Sequence, residues 1–165
     1  MTPFFRWVES TPLSVWTRES TSIFAFPAIL SAHAIGMALA AGVSAIVALR
    51  LLGAVRGIPP APLRAVVPIF WFGFWLNAAS GLLLLTAYPT KALTNPVFYV
   101  KLLSIAIAVA ISTGLSRRLS QQPFDEGLVS RRGRTLAAVT LLAWTSAIFA
   151  GRLLAYTHHR VLADF

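Results

Sequence analysis

The sequence predicts an all-α integral membrane protein: a four-helix transmembrane bundle preceded by a short interfacial helix, with both termini on the periplasmic side. Three observations carry the prediction. The 165-residue chain is 57% hydrophobic and only 12% charged, with a mean hydropathy of +0.74, more apolar than a soluble domain of this size can hide. Four apolar runs each reach the roughly 20 residues that a helix needs to cross about 30 Å of hydrocarbon. The arginines concentrate in two of the segments that separate those runs.

The runs fall at about 23–49, 66–88, 97–115 and 136–156, and the need to satisfy every backbone polar group within lipid makes each a helix. The intervening sequences agree with these cuts. "RLLGAVRGIPPAPLR" (50–64) holds glycines, a proline pair and three Arg, "YPTKALTNP" (88–96) has two prolines and an Asn, and "RRLSQQPFDEGLVSRRGR" (117–134) is the one long polar stretch. Arg50, Arg56 and Arg64 then lie on the same side of the membrane as Arg117, Arg118, Arg131, Arg132 and Arg134, while Arg6, Arg18, Lys91 and Arg160 lie on the other. The positive-inside bias makes the arginine-rich loops cytoplasmic and leaves both termini and the 88–96 loop outside, in a bacterial inner membrane.

Ahead of the first span, "STPLSVWTRES" offers Thr11 as an N-cap and Pro12 at the first helical position. Trp7, Trp16, Phe4 and Phe5 are suited to headgroup depth. The opening residues lack the features of a cleaved signal peptide, so the first span is expected to be retained. The organisation is an N-terminal interfacial segment (1–22), one transmembrane domain (23–157) and a short tail (158–165), with no internal repeat. Small residues at intervals of four on the first span (Ala32, Gly36, Ala40, Ser44) and on the second (Gly73, Asn77, Gly81) are expected to let helices approach closely.

The absence of cysteine excludes disulfides, thiolate metal sites and haem attachment through Cys-x-x-Cys-His. The net charge of +9 reflects topology, and no nucleic-acid partner is expected.

An ionisable side chain within a span costs at least about 2.5 kcal/mol on insertion scales, and by default marks function. Here there are three: His33, Lys101 and Arg152. At about 1.5 Å per residue, His33 lies roughly 12 to 15 Å from the outer end of its span, and Lys101 and Arg152 each about 6 Å. The five acids are Glu9, Glu19, Asp125, Glu126 and Asp164, so no span supplies a carboxylate to the two cations.

Haem b would account for all three, with His33 on the iron and the propionates meeting Lys101 and Arg152. Met37, Asn77 and Trp144 complete the candidate cofactor-binding set, and His158 and His159 are candidates for a second haem or metal ligand. Met37 stands one turn from His33 on the same face, so it cannot take the opposite side of a haem held by His33. Other readings stay open. His33 can simply bond a neighbouring helix through Asn77, Ser80, Thr140 or Thr145, Lys101 and Arg152 can snorkel to headgroups, and His33 with Met37 could hold Cu(I).

The stretches "FPAILSAHAIGMALAAG…ALRLLG" (26–53), "LTNPVFYVKLL" (93–103) and "AWTSAIFAGRLLAY" (143–156) resemble a family of small bacterial four-span membrane proteins whose domain has no assigned function. More distantly, a His in span 1, "SGLLL" (80–84) in span 2 and a Lys opening span 3 resemble the CopD copper-resistance family and the four-helix bacterial protoporphyrinogen oxidases. The latter resemblance implies a functional pair at His33 and Lys101 and an association with haem. Ala, Ile and Gly replace the aromatic and acidic neighbours of the oxidases' His, and the oxidase activity is not carried over.

The function expected is therefore haem b-mediated electron transfer, either alone or as the membrane anchor of a periplasmic oxidoreductase, with redox subunits and quinone as candidate partners. A cofactor-free structural subunit of a larger complex is the alternative, and a copper or small-solute transporter the third.

Overall fold

The computed structural model describes residues 3–55, 65–121 and 131–157. Their regular structure is helical: α1 (Pro3–Glu9), α2 (Pro12–Glu19), α3 (Phe26–Leu52), α4 (Val67–Ala87), α5 (Pro89–Leu93), α6 (Pro96–Gln121) and α7 (Arg131–Tyr156). Four of these, α3, α4, α6 and α7, are long and apolar enough to cross a membrane, which makes the chain a multi-pass membrane protein. Residues 158–165, with His158, His159 and Arg160, lie outside the described residues, as do Arg56 and Arg64.

The helices are punctuated as local chemistry requires. Proline occupies the first turn of α2, α3, α4 and α5, where its missing N–H has no helical partner to lose. Asn95 Oδ1 accepts from Val97 N at 2.9 Å at the start of α6. α3 closes at Gly53, which takes the left-handed conformation (φ 82°), while Ala54 N reaches back to Leu49 O at 3.0 Å.

Two boundaries differ notably from the apolar runs. α6 continues past residue 115 to Gln121, and α7 is already helical at Arg131 rather than only from 136. Hydropathy marks the edge of the hydrocarbon, but backbone hydrogen bonding does not stop there, and Ser, Arg, Leu and Gln are all compatible with a continuing helix. The 88–96 segment holds the short helix α5 rather than a bare reversal.

α3 packs closely along α4 and along α7, and α6 packs along α7. The α3–α4 crossing rests on two glycines. A Cβ on Gly36 would stand 2.5 Å from Asn77 N and 2.7 Å from Gly73 O, and one on Gly73 would stand 2.6 Å from Leu39 Cβ and 2.9 Å from Ala40 N. The backbones touch there because neither residue has a side chain. α3 and α6 run parallel: among the described residues, His33–Lys101 and Ser44–Ser112 are polar contacts between them, and each joins residues 68 apart.

Mid-bundle, Ala40, Ala41, Phe70, Ala108, Ala143 and Trp144 form an apolar layer. A second cluster of Val47, Ala48, Leu51 and Ala137 lies nearer the end that carries Arg50, Arg131, Arg132 and Arg134. Outside, Phe72, Trp75, Leu103, Leu142 and Phe149 are each more than 60% exposed, a surface that bilayer lipid can solvate and water cannot.

The expected helix after Thr11 is present as α2, with Thr11 Oγ1 accepting from Ser14 N at 3.4 Å; a further helix, α1, precedes it. α2 lies across the C-terminal end of α4. Ser14, fully buried, donates to Thr86 O at 2.9 Å, and Arg18 Nη1 donates to Ala87 O at 3.4 Å. Two terminal carbonyls of α4 that lack helical partners are thus capped from another helix. Thr90 Oγ1 donates to Glu9 Oε1 at 2.8 Å, tying α1 to α5.

Candidate functional site

The residues that meet at His33 come from α4 and α6, and α7 adds Gly151 beside Lys101. α3 presents the imidazole toward α4, where the backbone carbonyl of Asn77 lies 3.0 Å and Ser80 Oγ 3.3 Å from Nδ1. A carbonyl can only accept, so Nδ1 carries the proton. Ser80 directs its own hydroxyl proton to Leu76 O at 2.6 Å, which frees its oxygen to accept from Nδ1 as well. Asn77 Nδ2 donates to His33 O at 2.7 Å, so this one residue holds both the ring and the backbone of His33. It also lies 3.3 Å from Nδ1, but with a proton on each nitrogen that approach is not a hydrogen bond.

With Nδ1 committed, Nε2 is left with a bare lone pair, and Lys101 Nζ of α6 stands 3.2 Å from it and donates. Gly81 makes room for the imidazole, and Gly151 is the α7 residue that the lysine stem passes. A Cβ on Gly81 would lie 3.0 Å from His33 Cε1, and one on Gly151 of α7 would lie 3.6 Å from Lys101 Cε and Nζ. The imidazole is therefore flush against α4, and the lysine stem passes over the α7 backbone. Below Lys101 on the same face, Ser104 Oγ donates to Ser146 Oγ at 3.1 Å.

Among the described residues no carboxylate joins this group. Among the described residues the ion pair found is Arg18–Glu19, at 2.9 Å, and no three His, Asp or Glu side chains come together. The site is thus a fixed imidazole and an amine at membrane depth, able to accept at one ring nitrogen and to donate to an anion.

The other predicted site residues lie elsewhere. Arg152 is exposed, its guanidinium 5.7 Å from the centre of the Tyr156 ring. It sits one residue, or about 100° of helix, round from Gly151, which is the α7 residue that faces Lys101. Met37 packs against the mid-bundle apolar layer, and Trp144 belongs to that layer, its Nε1 buried without a partner. Thr140 is buried and bonds within its own helix, and Thr145 is exposed. Asn77 makes the contact with His33 that one of its expected roles called for. Sequence reasoning missed Gly151, whose signal was a small residue beside a charged one in "FAGRLL", and the Ser104–Ser146 pair, spaced one turn below Lys101.

Comparison with protein-family models, with curated proteins and with solved structures finds no match to this chain, so the reading of the site rests on its own geometry.

Proposed function

We propose that this chain is a membrane electron-transfer protein that holds haem b through His33, with Lys101 as the amine that meets a haem carboxylate. The observation that supports it is the His33 tautomer. A histidine that ligates a metal typically donates its other ring N–H to a carbonyl or carboxylate, which fixes the ring and raises the basicity of the ligating nitrogen, and Nδ1 of His33 does this to Asn77 O. Haem, when bound, would supply the one-electron chemistry. The protein would supply an oriented imidazole, a low-dielectric surround from the apolar layer, and a cation in a region with no acid. In this reading the site lies in the periplasmic half of a bacterial inner membrane, and redox subunits or quinone are the partners it would serve.

The test is an optical spectrum of the detergent-purified protein from haem-replete cells, oxidised and dithionite-reduced. A Soret band that His33→Ala abolishes is expected, with Lys101→Ala weakening haem retention or shifting the potential. A preparation without a Soret band sinks the reading, and an unchanged spectrum in His33→Ala reassigns the ligand.

One observation favours a second reading, a cofactor-free subunit of a larger membrane complex. The Lys101 amine already satisfies Nε2, so the polar groups close on themselves and tie α3, α4 and α6 together without a ligand. In that case the purified protein is colourless, and His33→Ala lowers stability alone.

A further inference from the structure

Eleven residues beyond His33 on α3, on the other side of the Phe70–Trp144 layer, a second polar group surrounds a cavity of about 20 Å³. Ser44 of α3, Ser112 of α6 and Thr140 of α7 line it, with Val47, Val66 and Phe70 among the apolar walls. The three hydroxyl residues are 5%, 8% and 4% exposed, so bulk water does not reach them.

The hydroxyl protons can be accounted for one by one. Ser44 Oγ donates to Ala40 O at 2.8 Å, and Thr140 Oγ1 donates to Leu136 O at 2.9 Å. Ser44 and Ser112 oxygens lie 3.2 Å apart, and since the Ser44 proton is committed, Ser112 is the donor. Every one of these O–H groups is then used, while among the described residues lone pairs on Ser112 and Thr140 have no donor. Among the described residues that line it, the cavity presents acceptors only and no charged group.

We infer that this cavity binds one water molecule, which donates to Ser112 Oγ and Thr140 Oγ1 and so bridges α6 to α7 beside the direct Ser44–Ser112 link to α3. Size and chemistry agree. A water needs about 10 to 15 Å³ of such volume and two to four polar partners, and its two protons match two acceptors on different helices. A bare cation would leave its charge uncompensated, since no carboxylate is among the described residues that line it. The inference does not depend on what His33 binds.

The experiment is a crystal structure of the full chain in a lipidic phase, at a resolution that orders water. One density peak within hydrogen-bond distance of both Ser112 Oγ and Thr140 Oγ1 is expected, lost in Thr140→Val, which keeps the side-chain shape and removes the acceptor. An empty cavity, or one filled by a methyl group of a repacked side chain, overturns the inference. Ser112→Ala, Thr140→Val and the double variant give an independent reading. A bridging water leaves with the first substitution, so the unfolding midpoint of the double variant should fall by less than the two single shifts combined, and additive shifts count against the bridge. Should Thr140→Val fail to accumulate, the wild-type density and its loss in Ser112→Ala decide the matter.

Discussion

Nε2 of His33 and Nζ of Lys101 lie 3.2 Å apart, joining α3 to α6 across the bundle. These two spans are linked by polar side chains at two levels, here and at Ser44–Ser112, whereas α3 and α4 meet backbone to backbone. What happens when each element of this arrangement is removed follows from which atoms do the holding.

Asn77→Ala removes the side-chain donor to His33 O but leaves the Asn77 carbonyl that accepts from Nδ1. The ring therefore keeps its tautomer. The expected loss is about 0.6 kcal/mol, the average for hydrogen bonds between membrane helices, and at most about 1.7 kcal/mol. Unfolding in mixed detergent micelles measures it, and any haem band present in the parent protein should survive.

Gly36→Ala places a methyl group 2.5 Å from a backbone nitrogen that cannot swing aside. α3 and α4 must separate, at a cost of about 1 to 3 kcal/mol typical of overpacking. Because Asn77 is the residue struck, the His33–Asn77 contacts should loosen as well. Lower thermal stability together with altered proton resonances of the His33 ring would show both effects. Gly114→Ala, at a position with open space around it, serves as the control and should change little.

Ser14→Ala leaves Thr86 O without its donor from α2. A loss of about 0.5 to 1.5 kcal/mol is expected from a hydrogen bond of this kind. Hydrogen exchange should show it as faster exchange in α2 and the last turn of α4, with the centres of the spans unaffected.

Arg152→Ala should leave the His33 site intact, since its guanidinium lies with Tyr156 on an exposed face. Lys101→Met, which keeps the stem over Gly151 and deletes the amine, should disturb the site. The contrast is read from the His33 side-chain resonances and, in a haem-loaded preparation, from the absorption spectrum. Equal effects of the two substitutions would contradict the placement of Arg152.

Much of the site was legible because polarity in an apolar span is costly enough to be rare. His33, Lys101, Asn77 and Ser80 each stand out against their neighbours. Counting along the helices set His33 and Lys101 at different depths, roughly 12 to 15 Å and about 6 Å, and their direct contact was not legible from those depths. Arg152 stands out in the same way, yet depth says nothing about direction around the helix. One residue of rotation separates it from the face that meets Lys101, and "AIFAGRLLAY" is apolar on nearly every side, so no stripe indicated which face turned inward. Trp144 and Met37 were drawn toward the site by their chemistry, but their register belongs to the apolar layer. The pairing of Ser44 with Ser112 was invisible for a related reason: isolated serines in a span bond their own helix as readily as a neighbour.

The sequence by itself determined that four helices cross a membrane, roughly where they begin and end, and which few polar residues they carry inward, because hydrocarbon leaves the backbone no other choice and penalises every charge. Only the tertiary structure decided the rotation of each helix about its axis. That rotation is set by where glycine and alanine let backbones touch, as at Gly36 and Gly73, and it pairs His33 with Lys101, turns Arg152 away, and encloses a cavity between Ser112 and Thr140.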